Sequence, residues 1–165
     1  MTNKTTNDYI LIYKSLLKNG EIQITYKLLL KYMMELKTDC EKTFVDQYSF
    51  GNLSPGYMDF SYFPFFNEFL RNEKLRFGIV LNHQKMRFEL WLMGQNAQIQ
   101  KKYWNLLKDT KWNKGVLTMP QYSILECVLC EKPDFNNSVQ INIEIKKKLI
   151  LISEELIIYI KKLCK

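Results

Sequence analysis

The sequence predicts an α+β domain: a mainly antiparallel sheet of about four strands, an N-terminal helical hairpin, and a long C-terminal helix, with the helices largely on one face. Three observations predict it. Residues 9–44 repeat apolar side chains at three- and four-residue steps, the period of a helix face. LRFGIVLNHQKMRFELWLMG, residues 75–94, reads as two strands folded back on each other. Residues 138–163 return to the helical period, with a spine of Ile141, Ile145, Leu149, Ile152, Leu156, Ile160 and Leu163.

Asn7 and Asp8 are placed to cap the first helix, which would turn Tyr9, Tyr13, Leu16 and Leu17 to one side. Gly20 then supplies the left-handed position past its end. A second, longer helix starts at about Glu21 and turns Ile22, Tyr26, Leu29, Met33, Leu36, Cys40 and Phe44 inward. The short connection makes the two an antiparallel hairpin. QYSFGNLSPG, 47–56, is rich in turn formers and separates helix from sheet. YMDFSYF, 57–63, alternates, with Met58, Phe60 and Tyr62 on one side and Tyr57, Asp59 and Ser61 on the other. Pro64 is expected to stop this strand or to open a short helix over FFNEFLRNE.

A turn centred on His83-Gln84 pairs Leu81 with Met86, Ile79 with Phe88, Phe77 with Leu90 and Leu75 with Leu92, all apolar. A one-residue slip would turn that face to water, so the choice of face is strongly specified. Gly94 ends the hairpin. Residues 95–110 read as an amphipathic helix with Ile99, Tyr103, Leu106 and Leu107 inward. KWNKGVLTMPQYS is a loop, SILECVLCE a fourth strand, and KPDFNNS a second loop before the last helix. Outside the spine of that helix, Ile143, Ile150 and Ile157 recur at seven-residue steps. The helical hairpin is the expected cover for this second stripe, which favours a monomer over a homodimer.

The 165 residues suit one domain over 1–165, with residues 1–6 expected to be disordered. Apolar residues at 47% and charged residues at 25% give a globular balance that needs no disulfide or metal staple. Neither a signal peptide nor a membrane span is legible, and a cytoplasmic location is expected. The net charge is +7, and residues 95–165 hold 12 Lys and no Arg against 7 acids. Nucleic-acid binding would need Lys101, Lys102, Lys108, Lys146, Lys147 and Lys148 on one side. It is disfavoured because the basic residues are scattered and lack arginine forks.

Cys127 and Cys130 form a Cys-x-x-Cys. In a strand an odd separation sends the two thiols to opposite faces, Cys127 to the apolar side and Cys130 to the other. A redox pair opens a helix, and zinc needs two further ligands, so ordinary thiols in a reducing compartment are expected. His83, the only histidine, sits at the hairpin tip and is read as inert. No glycine-rich phosphate loop and no cofactor motif appear.

The sheet face away from the core carries, by strand parity, Asp59, Arg76, Arg87, Glu89, Trp91 and Glu126. This polar and aromatic cluster is the candidate ligand face. Two of its members, Arg76 and Trp91, are expected to stack. Asp59, Glu89 and Glu126 could alternatively converge on a divalent cation as a metal-assisted hydrolase. A nuclease-like Asp…Glu-x-Lys pattern fails because Glu89 is followed by Leu-Trp-Leu.

YMDFSYFPFF, LRFGIVLNHQKMRFELWLMGQNAQIQKKYW and KPDFNN together resemble a family of small uncharacterised bacterial proteins, classified as a domain of unknown function, over about residues 9–163. The resemblance implies no activity and carries over no catalytic residues. More distantly, Tyr-Phe-Pro followed by a hairpin resembles small bacterial α+β ligand- or partner-binding domains. The expectation is a cytoplasmic module that binds a small molecule or protein on the exposed sheet face without catalysis.

Overall fold

Every strand pairs with the next one in the chain, so the sheet is a meander in chain order, with one long connection, residues 95–124, before its last strand. The computed structural model describes residues 4–163. Its elements are α1 (Thr6–Leu17), α2 (Glu21–Thr43), β1 (Ser49–Phe50), β2 (Phe60–Phe66), α3 (Glu68–Asn72), β3 (Leu75–Asn82), β4 (Arg87–Gly94), α4 (Ala97–Leu107), β5 (Leu125–Cys130) and α5 (Ser138–Leu163). The five strands pair antiparallel in the order β1-β2-β3-β4-β5. The fifth, β1, lies inside the segment expected to be only a turn. Cys164 and the first three residues of the expected disordered end lie outside the described residues.

α1 begins earlier than expected. Thr5 caps it, and the Asp8 carboxylate accepts the Thr5 N–H at 2.7 Å, a reciprocal box. α1 nevertheless buries no residue: Tyr9, Tyr13 and Leu16, expected to share one side of the helix, are all exposed. α2 does bury its stripe, through Leu29, Tyr32, Met33, Leu36 and Cys40. It also packs on α5, with Tyr32 Oη donating to Asn142 at 2.6 Å and Lys146 paired to Asp39 at 2.8 Å. Of the second stripe on α5, Ile157 is buried, Ile150 half-buried and Ile143 exposed.

Pro64 does not stop β2. Tyr62 exchanges both backbone bonds with Ser54, and two residues on, the Pro64 carbonyl takes the Gly51 N–H at 2.8 Å. The missing Pro64 N–H therefore faces the edge, and the ladder to β3 is intact. The β3–β4 hairpin keeps the expected faces but not the expected pairs. Asn82 pairs with Arg87 and Leu81 with Phe88, two residues out of the expected register. His83–Met86 form a four-residue loop in which Asn82 Oδ1 accepts the Lys85 N–H at 3.1 Å. A shift by two preserves side-chain parity, so the hydrophobic pattern alone could not detect it.

One apolar cluster joins α2, α4 and α5 to Phe63, Phe65, Phe77, Ile79, Leu81, Leu90 and their neighbours on the sheet. On α4 the buried face is Gln100, Tyr103, Trp104 and Leu107, with Trp104 inside and Leu106 exposed. Gly94 admits α4, since a Cβ there would lie 2.7 Å from the Gln100 nitrogen.

Candidate functional site

The opposite sheet face is not open. Val80, Trp91 and Met93 form a second small core with Phe60 and Tyr62 packed on it. Gly78 makes this possible, because a Cβ there would meet Met93 Cε at 2.6 Å. Phe60 reaches across β3 to the Trp91 ring at 4.8 Å, and Tyr122 from the loop before β5 meets Phe60 at 6.2 Å. Trp91 is 4% exposed and Glu89 0%. The expectation of an exposed working face is therefore overturned: its large side chains close over one another.

Of the six residues assigned to that face, the structure brings Arg87, Glu89 and Trp91 together. Glu89 accepts from Arg87 Nε at 2.6 Å, from Trp91 Nε1 at 2.8 Å and from Asn82 Nδ2 at 3.4 Å. Arg87 continues outward to Glu131 at 3.1 Å. Glu126 stands opposite Trp91 but takes the Ser123 hydroxyl at 2.7 Å. Arg76 faces Met93, and Trp91 faces Gly78, so the expected Arg76–Trp91 stack does not form. Asp59 precedes β2, and its carboxylate accepts the N–H groups of Tyr57 and Phe60 at 2.9 and 2.7 Å. The three carboxylates of the hydrolase reading thus serve three separate local structures. Among the described residues no group of three or more His, Cys, Asp and Glu side chains could hold a metal.

The cysteines also depart from parity. Glu89 pairs with Val128 but Phe88 with Cys130, so Leu129 is an extra residue, a β-bulge. The bulge returns Cys130 to the core side, where Cys127 also packs. Burial pushes both thiols up to about 11. For Cys130 the Glu144 carboxylate adds to the effect.

The chemistry that does converge lies at the hairpin tip. His83 is held there through its backbone N–H, which donates to the Asp59 carbonyl at 2.9 Å. Its Nε2 lies 2.8 Å from Ser61 Oγ, and Ser61 Oγ lies 2.6 Å from the Pro55 carbonyl. Tyr26 of α2 donates to the same carbonyl at 2.7 Å, and its ring meets the His83 ring at 5.7 Å. A carbonyl oxygen cannot donate, so the single Ser61 proton goes to Pro55. Ser61 must then accept from His83 Nε2–H, which leaves Nδ1 as the acceptor. Nδ1 has no hydrogen-bond partner among the described residues. Burial holds the imidazole below its ordinary pKa, against an opposing pull from Asp59.

This arrangement is the reverse of an activated serine. The histidine donates to the hydroxyl, and Ser61 is fully buried. The carboxylate of Asp59 is committed to backbone and does not orient the ring. What the geometry provides is a fixed neutral acceptor on the wall of a cleft of about 270 Å³. The remaining wall is mainly apolar: Ile22, Tyr26, Leu29, Met58 and Met86. Met58 and Met86 have φ of 64° and 47°, left-handed values that are strained for a side chain of this kind. Sequence reading placed His83 at a tip but missed Tyr26, Pro55 and Ser61, which reach it from 22 to 57 residues away along the chain.

The fold and this cleft define a small α+β domain with a five-stranded antiparallel meander backed by helices. The chain belongs to the domain-of-unknown-function family DUF7000, whose model matches residues 6–160. No curated protein and no solved structure matches it. No helix among the described residues is long and apolar enough to cross a membrane.

Proposed function

We propose that the protein is a binding module without catalysis, and that its ligand site is the His83 cleft rather than the sheet face. The observation that carries the reading is the unpartnered Nδ1 of a histidine whose other nitrogen is committed to Ser61. A small ligand with an apolar body and one O–H or N–H donor matches it: the body meets Met58, Met86 and Ile22, and the donor meets Nδ1. Methionine walls suit such a site because the flexible thioether repacks around different shapes. Two strained residues at the rim add support, since left-handed non-glycine backbone gathers at ligand sites. The reading places the protein in a bacterial cytoplasm, and the free thiols of Cys40, Cys127 and Cys130 support a reducing compartment.

The test is a titration with phenol as the probe, followed by the ¹³C-methyl resonances of methionine. Saturable shifts of the Met58 and Met86 methyls, weakened in His83→Phe, are the expected result. If phenol shifts neither methyl, or shifts both equally in His83→Phe, the cleft is not a donor-ligand site.

A further inference from the structure

Two of the three arginines in the chain, Arg71 and Arg76, stand with Lys74 around a cleft of about 240 Å³ where α3 passes into β3. Phe66, Leu75 and Gln95 complete its wall, and no carboxylate lines it. None of the three cations has an ion-pair partner among the described residues. The third arginine, Arg87, is by contrast matched to two acids, Glu89 and Glu131. Glu73, next to Lys74 in sequence, accepts the Tyr103 hydroxyl instead. Arg76 Nε is buried and lacks any hydrogen-bond partner. Native proteins rarely leave such a group unsatisfied without a functional reason. Lys74 has φ 57°, and its carbonyl is tied to the Gln95 N–H at 2.9 Å.

We propose that this cleft binds the phosphate group of a small phosphorylated molecule. Three uncompensated positive charges call for more than one negative charge, and a phosphate monoester carries about −1.5 to −2 near neutral pH. A single carboxylate carries less. Guanidinium forks match phosphate oxygens in pairs, which lysine-only surfaces cannot do. The Phe66 ring, covered by Arg71 at 4.8 Å, gives the body of the molecule an apolar surface. This site is separate from the His83 cleft and does not depend on it.

Isothermal titration with inorganic phosphate at low salt tests the proposal. Saturable binding is expected, weakened about tenfold or more in Arg76→Gln and in Arg71→Gln, and unchanged in Lys147→Gln, which lies on α5 fourteen residues before Lys161, where that helix meets α3 at Phe69. Arg71 is exposed, so its variant keeps the test valid if Arg76→Gln does not fold. Absence of saturable binding overturns the proposal. So does equal weakening in Lys147→Gln, which would show only a diffuse response to net charge.

Discussion

Ser61 Oγ sits between two partners, 2.6 Å from the Pro55 carbonyl and 2.8 Å from His83 Nε2. Its one proton satisfies the first, so it must be the acceptor for the second. A hydroxyl that looks like a nucleophile beside its base is instead a relay that selects the histidine tautomer. Ser61→Ala leaves the Nε2–H without its acceptor and removes one of two donors to Pro55. Loss of a buried partner of this kind costs about 1–3 kcal/mol. Urea denaturation should show a lower midpoint with an unchanged slope. Nitrogen chemical shifts should show a pure Nε2–H tautomer in the wild type and a mixture in the variant.

The same burial sets a pH dependence. The folded His83 has its pKa lowered, chiefly by burial, whereas the unfolded chain titrates near the ordinary 6.5. The unfolded state therefore takes up a proton first as pH falls. Stability is complete above about 6.5 and declines as pH drops from there through the folded pKa. Phenol binding should fall over the same range, because protonation removes the Nδ1 acceptor. Asp59 acts lower: backbone N–H groups of Tyr57 and Phe60 hold its carboxyl below 3.8, so its contribution is present above that value and lost beneath it. His83→Gln should flatten stability between pH 7 and 5 without altering the steeper loss in acid. An unaltered curve in His83→Gln would contradict the assignment.

Glu89 is a fully buried carboxylate whose oxygens hold Arg87, Trp91 and Asn82. Glu89→Ala leaves Arg87 Nε and the Trp91 indole N–H without their acceptor, at a cost of about 1–3 kcal/mol for each, while Arg87 keeps its pair with Glu131. Trp91→Ala costs about 3–5 kcal/mol through the cavity it opens in the second core. That substitution also removes the ring on which Phe60 packs. Both variants should show large falls in thermal midpoint. A near-neutral Trp91→Ala would mean that this face opens in solution and would return it to consideration as a binding surface.

The long helices and the β3–β4 hairpin were legible in the sequence, with the faces they bury, because period alone sets them; the two-residue β1 was too short to show a period. The runs around Ile79 and Leu90 alternate, and the run from Leu29 to Cys40 steps by three and four. Register within the hairpin was not legible, since a slip of two residues keeps every side chain on its face. The bulge at Leu129 was hidden for a related reason: an inserted residue has no signature in composition, only in the ladder it interrupts. Burial of the second sheet face depended on Gly78 letting large neighbours meet over it, a contact between strands. At the His83 cleft the sequence offered the titratable residue but not its environment. That environment is assembled from α2, the segment before β2, and the hairpin loop, three pieces joined only by the fold. Arg71 and Arg76 were likewise read apart, and only the turn from α3 to β3 places them on one cleft with Lys74.

Cys127 and Cys130 share the core side, which makes a reactive pair easier to imagine than the sequence suggested. Their chemistry opposes it. Both thiols are pushed up to about 11 by burial, and the Glu144 carboxylate beside Cys130 disfavours its thiolate further. Cys40 is held higher still, at about 12. A thiol with a pKa near 11 carries about 300-fold less thiolate at neutral pH than a free one near 8.5, so nucleophilic attack is correspondingly slow. In a Cys164→Ser background, iodoacetamide at neutral pH should leave all three remaining cysteines largely unmodified in the folded protein. Adding urea past the unfolding midpoint should expose them together, as one transition read by mass spectrometry. Rapid alkylation of Cys127 or Cys130 alone in the folded state would show that β5 opens locally and would reinstate the pair as a redox or metal candidate.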